Sequence, residues 1–201
     1  MQIRSLVRND ILASNCYILI YGNRFSVIDP SSSYNRAIAD IPELADLTVE
    51  YVILTHAHID HIWGINSYTS RGATVLVAEQ DSPKLSNPNL NCASMIPGEI
   101  LGYFGPYQTL KNGDIIRLGD DAIEVVETPG HTSGSLSYVT QGAVFTGDTL
   151  FSSGYGRYDL PTGNVSALLK SLKKLLSYPD DYIIYSGHGV STLIKYAKMN
   201  F

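Results

Sequence analysis

Five histidines carry the chemistry of this chain, because imidazole is both a metal ligand and a proton carrier near neutral pH. His56, His58 and His61 fall in Thr55-His56-Ala57-His58-Ile59-Asp60-His61. His131 lies in Thr128-Pro129-Gly130-His131-Thr132, and His188 in Ser186-Gly187-His188-Gly189. Each group follows an apolar run: Tyr51 to Leu54, Ile123 to Val126, and Tyr182 to Tyr185. A fourth run, Ala143 to Phe145, leads into Thr146-Gly147-Asp148. Strand ends that deliver His and Asp into Gly- or Pro-bearing loops are a common way to build a site. His56 and His58 are two apart, so in an extended loop they point the same way, and Asp60 and His61 open the next local element. His56, His58, Asp60, His61, His131, Asp148 and His188 together suit zinc, iron or manganese. They are too many for one tetrahedral zinc. Two divalent cations sharing a carboxylate would use them all and leave room for water.

The elements that must position these groups read as alternating strands and helices. Asn15 to Tyr21 and Phe25 to Ile28 flank Gly22-Asn23, a hairpin signal. Tyr34 to Leu47 has helical spacing interrupted by Pro42. Tyr51 to Thr55 suits a strand buried on both faces, and Thr74 to Ala78 is a further β-rich run. Gln80 to Tyr107 holds Pro83, Pro88, Pro97 and Pro106 and reads as a short helix followed by loop. Strands are predicted at Asp114 to Leu118, Ala122 to Glu127, Ser135 to Thr140, Ala143 to Thr146 and Tyr182 to Tyr185. Asn164 is a good N-cap for a helix to about Ser177, with Val165, Leu168, Leu169, Leu172, Leu175 and Leu176 on one stripe. Ser191 to Lys198 reads as a last amphipathic helix. Two packed sheets with helices outside accommodate this order.

The chain has 201 residues, 44% of them hydrophobic and 16% charged, which excludes intrinsic disorder. The length suggests one domain over residues 1–201. A formal charge of −5 gives no support to a nucleic-acid role. No apolar run approaches the roughly 20 residues of a membrane span. Met1 to Tyr21 mixes Arg4, Arg8, Asn9 and Asp10 into its apolar residues and lacks the order of a signal peptide. Two cysteines, Cys16 and Cys92, are too few for a disulfide framework, and Cys16 reads as a small buried hydrophobe. A reducing, cytoplasmic setting is the expectation.

The sequence resembles the metallo-β-lactamase fold superfamily. The resemblance rests on Asn15-Cys16-Tyr17, Val27-Ile28-Asp29-Pro30, the His-x-His-x-Asp-His string, Pro129-Gly130-His131, Thr146-Gly147-Asp148 and Ser186-Gly187-His188. It implies an α+β fold, a four-layer αββα sandwich with a dinuclear site at one edge of the sheets. It further implies that His56, His58 and His131 hold one metal, that Asp60, His61 and His188 hold the other, and that Asp148 bridges them. Asp29 resembles a carboxylate that supports the metal loop, and it is equally compatible with a turn former before Pro30. Gly147 to Phe151 and Gly156 to Gly163 are similar to glyoxalase II-like hydrolases, in particular to short members without a helical C-terminal domain.

Glyoxalase II likeness implies hydrolysis of a small-molecule thioester or ester. Two divalent metals, zinc first with iron or manganese as alternatives, would lower the pKa of a bound water for attack on the carbonyl, with the thiol or alcohol as leaving group. Asp60 and Asp148 are the carboxylates named for catalysis, mainly as ligands. No Gly-x-Ser-x-Gly elbow is present. Tyr155, Arg157 and Tyr158 follow the bridging aspartate and are the candidate substrate contacts. Arg157 either binds a carboxylate or pairs with Asp159 or Asp148 to shape the loop, and the pairing is favoured. Tyr103, Phe104 and Tyr107 are equally a lid or ordinary loop packing. Two other functions stand beside hydrolysis. One is a mononuclear iron oxygenase like the persulfide dioxygenases, using His56, His131 and Asp148. The other is a non-catalytic metal-binding module.

Overall fold

The computed structural model describes residues 1–7, 14–96 and 102–201. Arg8, Asn9, Asp10 and Pro97, used in the readings above, lie outside the described residues. The first sheet is built from β1 (Gln2–Val7), β2 (Asn15–Tyr21), β3 (Arg24–Ile28), β4 (Thr48–Ile53), β5 (Thr74–Ala78) and β6 (Tyr107–Leu110), side by side in that order. The second holds β7 (Ile115–Leu118), β8 (Asp121–Glu127), β9 (Leu136–Thr140), β10 (Ala143–Gly147), β11 (Ile183–Ser186) and β12 (Thr192–Leu193), again in sequence order. The β2–β3 hairpin is antiparallel, with Tyr21 opposite Arg24 across Gly22-Asn23. From β3 to β6 the neighbours are parallel. In the second sheet only β10 and β11 are parallel.

Alternation along the strands decides which side chain goes to which layer. In β2, Cys16 and Ile18 point to the outer core of the first sheet, while Tyr17, Leu19 and Tyr21 point between the sheets. In β5, Val75 and Val77 face outward, and Leu76 and Ala78 face inward. From the other sheet Ile123, Val125, Leu136, Tyr138 and Phe145 meet them. Sheets covered on both faces therefore need the near-continuous apolar runs that the sequence contains.

Helices cover the two outer faces. On the first sheet lie α1 (Tyr34–Asp40), α2 (Ile59–Ile62) and α3 (Ile65–Thr69). The Ser33 side chain caps α1 by accepting from Arg36 N–H, and Pro42 opens a separate 3₁₀ turn, Pro42–Asp46. On the second sheet lie α4 (Val165–Leu175) and α5 (Ile194–Ala197). Asn164 caps α4 by accepting from Ala167 N–H at 2.9 Å. Burial of Leu168, Leu172 and Leu175 against Val126, Val139 and Val144 seats this helix, at about 1.5–3 kcal/mol per leucine. The four layers form an αββα sandwich, as expected.

Several expectations are corrected. Val165 and Leu169 are exposed, so the buried stripe of α4 is Leu168, Leu172 and Leu175. Ser191 to Lys198 is not one helix. Thr192 and Leu193 pair with Ile184 and Ile183 of β11 before α5 begins. Tyr107, the last residue of the proline-rich segment, opens β6, because Tyr107 to Leu110 pair in parallel with Val75 to Ala78. Among the described residues no helix is long and apolar enough to cross a membrane.

Candidate metal centre

The predicted ligands come together at the carboxyl ends of β4, β8, β10 and β11. Three sets of donor atoms each lie within 4.8 Å of one another: His56, His58 and His131; His56, His61 and Asp148; and Asp60, His61 and His188. His58 Nδ1 and His131 Nε2 face each other at 2.9 Å. The rings of His56 and His61 are 4.1 Å apart between centroids. Asp148 stands between the outer sets. Its Oδ1 is 3.4 Å from His61 Nε2, and its Oδ2 is 3.4 Å from His188 Nε2 and 3.6 Å from His131 Nε2. Asp60 Oδ2 is 3.2 Å from His188 Nε2.

Neighbouring polar groups orient the rings. His61 Nδ1–H donates to Asp29 Oδ2 at 2.9 Å, so its Nε2 points inward. Asp29 also accepts from Thr55 N–H at 2.7 Å and from Thr55 Oγ1–H at 2.6 Å. His131 Nδ1–H donates to the backbone carbonyl of Arg157 at 2.6 Å. A second hydrogen bond of this kind fixes both tautomer and ring plane. Asn15 and Tyr17 of β2 donate to the Ser186 carbonyl at 2.9 and 2.6 Å, tying the His188 loop to the opposite sheet.

Burial and charge split the cluster. Burial, reinforced by the neighbouring imidazoles, holds His56 well below the ordinary histidine value and pushes His58 down to about 4. Burial also opposes charge on His61 and His188, but carboxylates overcome it. Asp60, Asp148 and Asp29 hold His61 well above its usual value, and Asp148 and Asp60 raise His188 to about 9. Burial resists ionisation of Asp148 and Asp60 in turn, yet His61 and His188 hold both below the ordinary carboxylate range.

The arrangement fits divalent cations. His56 Nε2, His61 Nε2 and Asp148 Oδ1, all in the cluster, are buried with no hydrogen-bond partner. Unpaired buried polar atoms are costly, so several in one place mark a missing ligand. Gly187 leaves the space open. A Cβ there would stand 2.1 Å from Asp148 Oδ1 and 2.7 Å from His61 Cε1.

The profile of the metallo-beta-lactamase superfamily matches residues 9–188. The chain belongs to this superfamily. It is 34% identical over 187 residues to a probable metallo-hydrolase, YqgX of Bacillus subtilis, covering 90% of this chain and 87% of that one. It is 31% identical over 188 residues to the hydroxyacylglutathione hydrolase GloC of Haemophilus influenzae, covering 86% and 84%. Among solved structures, the BLEG-1 B3 metallo-beta-lactamase matches with a TM-score of 0.87 and 29% identity, covering 100% of this chain and 97% of that one. TTHA1623 in a di-iron-bound form matches with a TM-score of 0.84 and 28% identity, covering 100% and 98%. The fold of a metallo-hydrolase and a His/Asp cluster for divalent metal thus occur in one chain.

The predicted substrate residues lie on the surface of the segment after Asp148. Tyr155 and Tyr158 are exposed, and the Tyr155 ring packs against Phe201. Arg157 is exposed and bidentate to Asp159, at 2.7 and 2.8 Å. Tyr103 is buried and its hydroxyl donates to the Pro106 carbonyl. With Phe104 and Tyr107 it lines a groove against Asn66, Thr69 and Ser70, and none of the seven candidate ligands lines that groove. Sequence reasoning missed Thr55, Asp81 and Lys84, which hold the ligand loops from behind. A polar residue directly beside a ligand was the signal for Thr55, whereas Asp81 lies in a different segment.

Proposed function

We propose that the protein is a metal-dependent hydrolase of a thioester or related ester, with residues 1–201 acting as one catalytic domain. The observation that carries this reading is the position of Asp148, within 3.6 Å of donor nitrogens from both outer ligand sets. His56, His58 and His131 would hold one divalent cation, Asp60, His61 and His188 a second, and Asp148 both. Zinc is the first expectation, with iron or manganese as alternatives. Bound there, such cations supply Lewis acidity and lower the pKa of a coordinated water toward 7.

The chain's own residues prepare that site. Asp29 and the Arg157 carbonyl fix the rings of His61 and His131. Asp60 and Asp148 act mainly as ligands, and Asp60 also orients the attacking water. A cysteine nucleophile is not needed, and burial pushes the Cys16 thiol up to about 12, which leaves it inert. Tyr155, Tyr158 and Arg157 are the proposed substrate contacts. The likeness to GloC supports a thioester over other acyl substrates.

Elemental analysis of protein purified without added metal, followed by thiol release from a thioester panel including lactoylglutathione, tests this reading. Two divalent cations per chain and thiol release are expected. The likeness to a di-iron-bound structure brings iron into the test. One iron per chain on His56, His131 and Asp148, with uptake of dissolved oxygen when glutathione persulfide is the substrate, would replace the hydrolase by an oxygenase. Inactivity across thioesters, esters, lactones and phosphodiesters would leave a metal-binding module.

A further inference from the structure

Behind the three histidines His56, His58 and His131 lies a fully buried ion pair. Lys84 Nζ donates to Asp81 Oδ1 at 2.6 Å, and the side chains are 1% and 0% exposed. Both residues sit in the 3₁₀ helix Glu79–Ser86, where side chains three apart eclipse and so meet. Asp81 also accepts from both ligand loops. Ala57 N–H, between His56 and His58, donates to Oδ2 at 3.0 Å. Thr132 Oγ1–H, next to His131, donates to Oδ2 at 3.0 Å, and Gly134 N–H donates to Oδ1 at 3.0 Å. The fit is tight. A Cβ on Gly134 would stand 2.6 Å from Asp81 Oδ1.

We propose that Asp81, held by Lys84, is the positioning residue that sets the His56–His58 loop against the His131 loop and so determines the affinity of the three-histidine cluster for its cation. Desolvation takes back most of what a buried ion pair gains, so this pair adds little to stability. Its four bonds instead fix geometry, because they reach three chain segments from one carboxylate. The cluster depends on that geometry, since its donors come from two loops with no direct peptide connection. Asp29 does the corresponding work for His61, and it also holds Thr55 at the start of the same loop. The inference rests on the reading that His56, His58 and His131 take a cation.

The test uses the full chain with cobalt(II) as the probe, in competition with a chromophoric chelator. Asp81→Asn turns one acceptor into a donor against the loop N–H groups. It is expected to weaken the tighter cobalt site by about 10–100-fold and to shift its visible absorption bands. Thr132→Val keeps the ion pair and removes the hydroxyl bonds to Asp81 and Ser135, and is expected to weaken that site by about 2–10-fold. Circular dichroism in chelator establishes that each variant is folded at the titration temperature. If Asp81→Asn does not fold, Thr132→Val decides alone. Wild-type cobalt affinity and bands in the folded variants would overturn the proposal while leaving the cation reading intact. A wild-type chain that takes up no cobalt would overturn the cation reading, and the proposal with it.

Discussion

The two outer ligand sets share a site but are built by opposite means. His56, His58 and His131 form an enclosed set of imidazoles, each no more than 4% exposed. Their loops are joined through the buried Asp81. Asp60, His61 and His188 form a charged set, in which carboxylates hold the imidazoles protonated. The His188 side chain remains 36% exposed. Enclosure by itself makes imidazole a ready ligand, because it removes the competing proton. Carboxylates near imidazole attract a cation, but they also attract the proton that the cation must displace. The enclosed set is therefore the one expected to keep its metal, and the open set the one expected to exchange it.

The sharpest way to break that contrast is to truncate one ligand from each set. His58→Ala should abolish turnover and remove about one cation per chain, read by elemental analysis. His188→Ala should also lose turnover but retain the cation of the enclosed set through dialysis. Equal cation loss in the two variants would erase the distinction. A smaller effect is expected from Asp29→Asn, which loosens His61. The affinity of the open set should fall about 10–100-fold in a two-site chelator competition, and the enclosed set should weaken less, because Thr55 links Asp29 to His56 Nδ1.

Acidification sharpens the same comparison. Carboxylates hold His61 above its usual value, and His188 sits at about 9, so across pH 6 to 8 a cation must displace a proton from His188. His58 sits at about 4 and His56 below its usual value, so neither competes there. Cation affinity of the open set should fall as pH falls, by about tenfold per unit for each proton displaced. The enclosed set should respond less, and a titration at pH 8 and pH 6 checks this. The smallest effect is expected from Arg157→Ala. His131 is oriented by the backbone carbonyl of residue 157, which the substitution keeps. Cation content should be unchanged, and a rise in KM at constant kcat would identify the guanidinium as a substrate contact.

Much of the site is legible in sequence because its ligands come in short strings after apolar runs. Strand ends are readable from such runs, and a buried strand needs them on both faces. The hairpin at Gly22-Asn23 and the cap at Asn164 were legible for the same local reason. The end of the chain was not. Leu193 has a helical pattern around it, yet β11 offers an open edge, and pairing with Ile183 takes Thr192 and Leu193 into a strand. Pairing with β5 likewise makes Tyr107 to Leu110 a strand where the proline-rich segment ends. The exposure of Leu169 could not be read from spacing, since a stripe fixes neighbours on a helix but not which face meets the sheet.

The sequence by itself determined the ligand types and their strings, because donor chemistry and apolar periodicity are local properties, while the αββα order came from the family resemblance. Only the tertiary structure decided how the donors divide into an enclosed and an open set. It alone placed Asp148 between them and brought Asp81 against Ala57, Thr132 and Gly134. Burial and the distance between charges depend on segments far apart in the chain, and those two quantities set the proton affinity of His56, His58, His61 and His188.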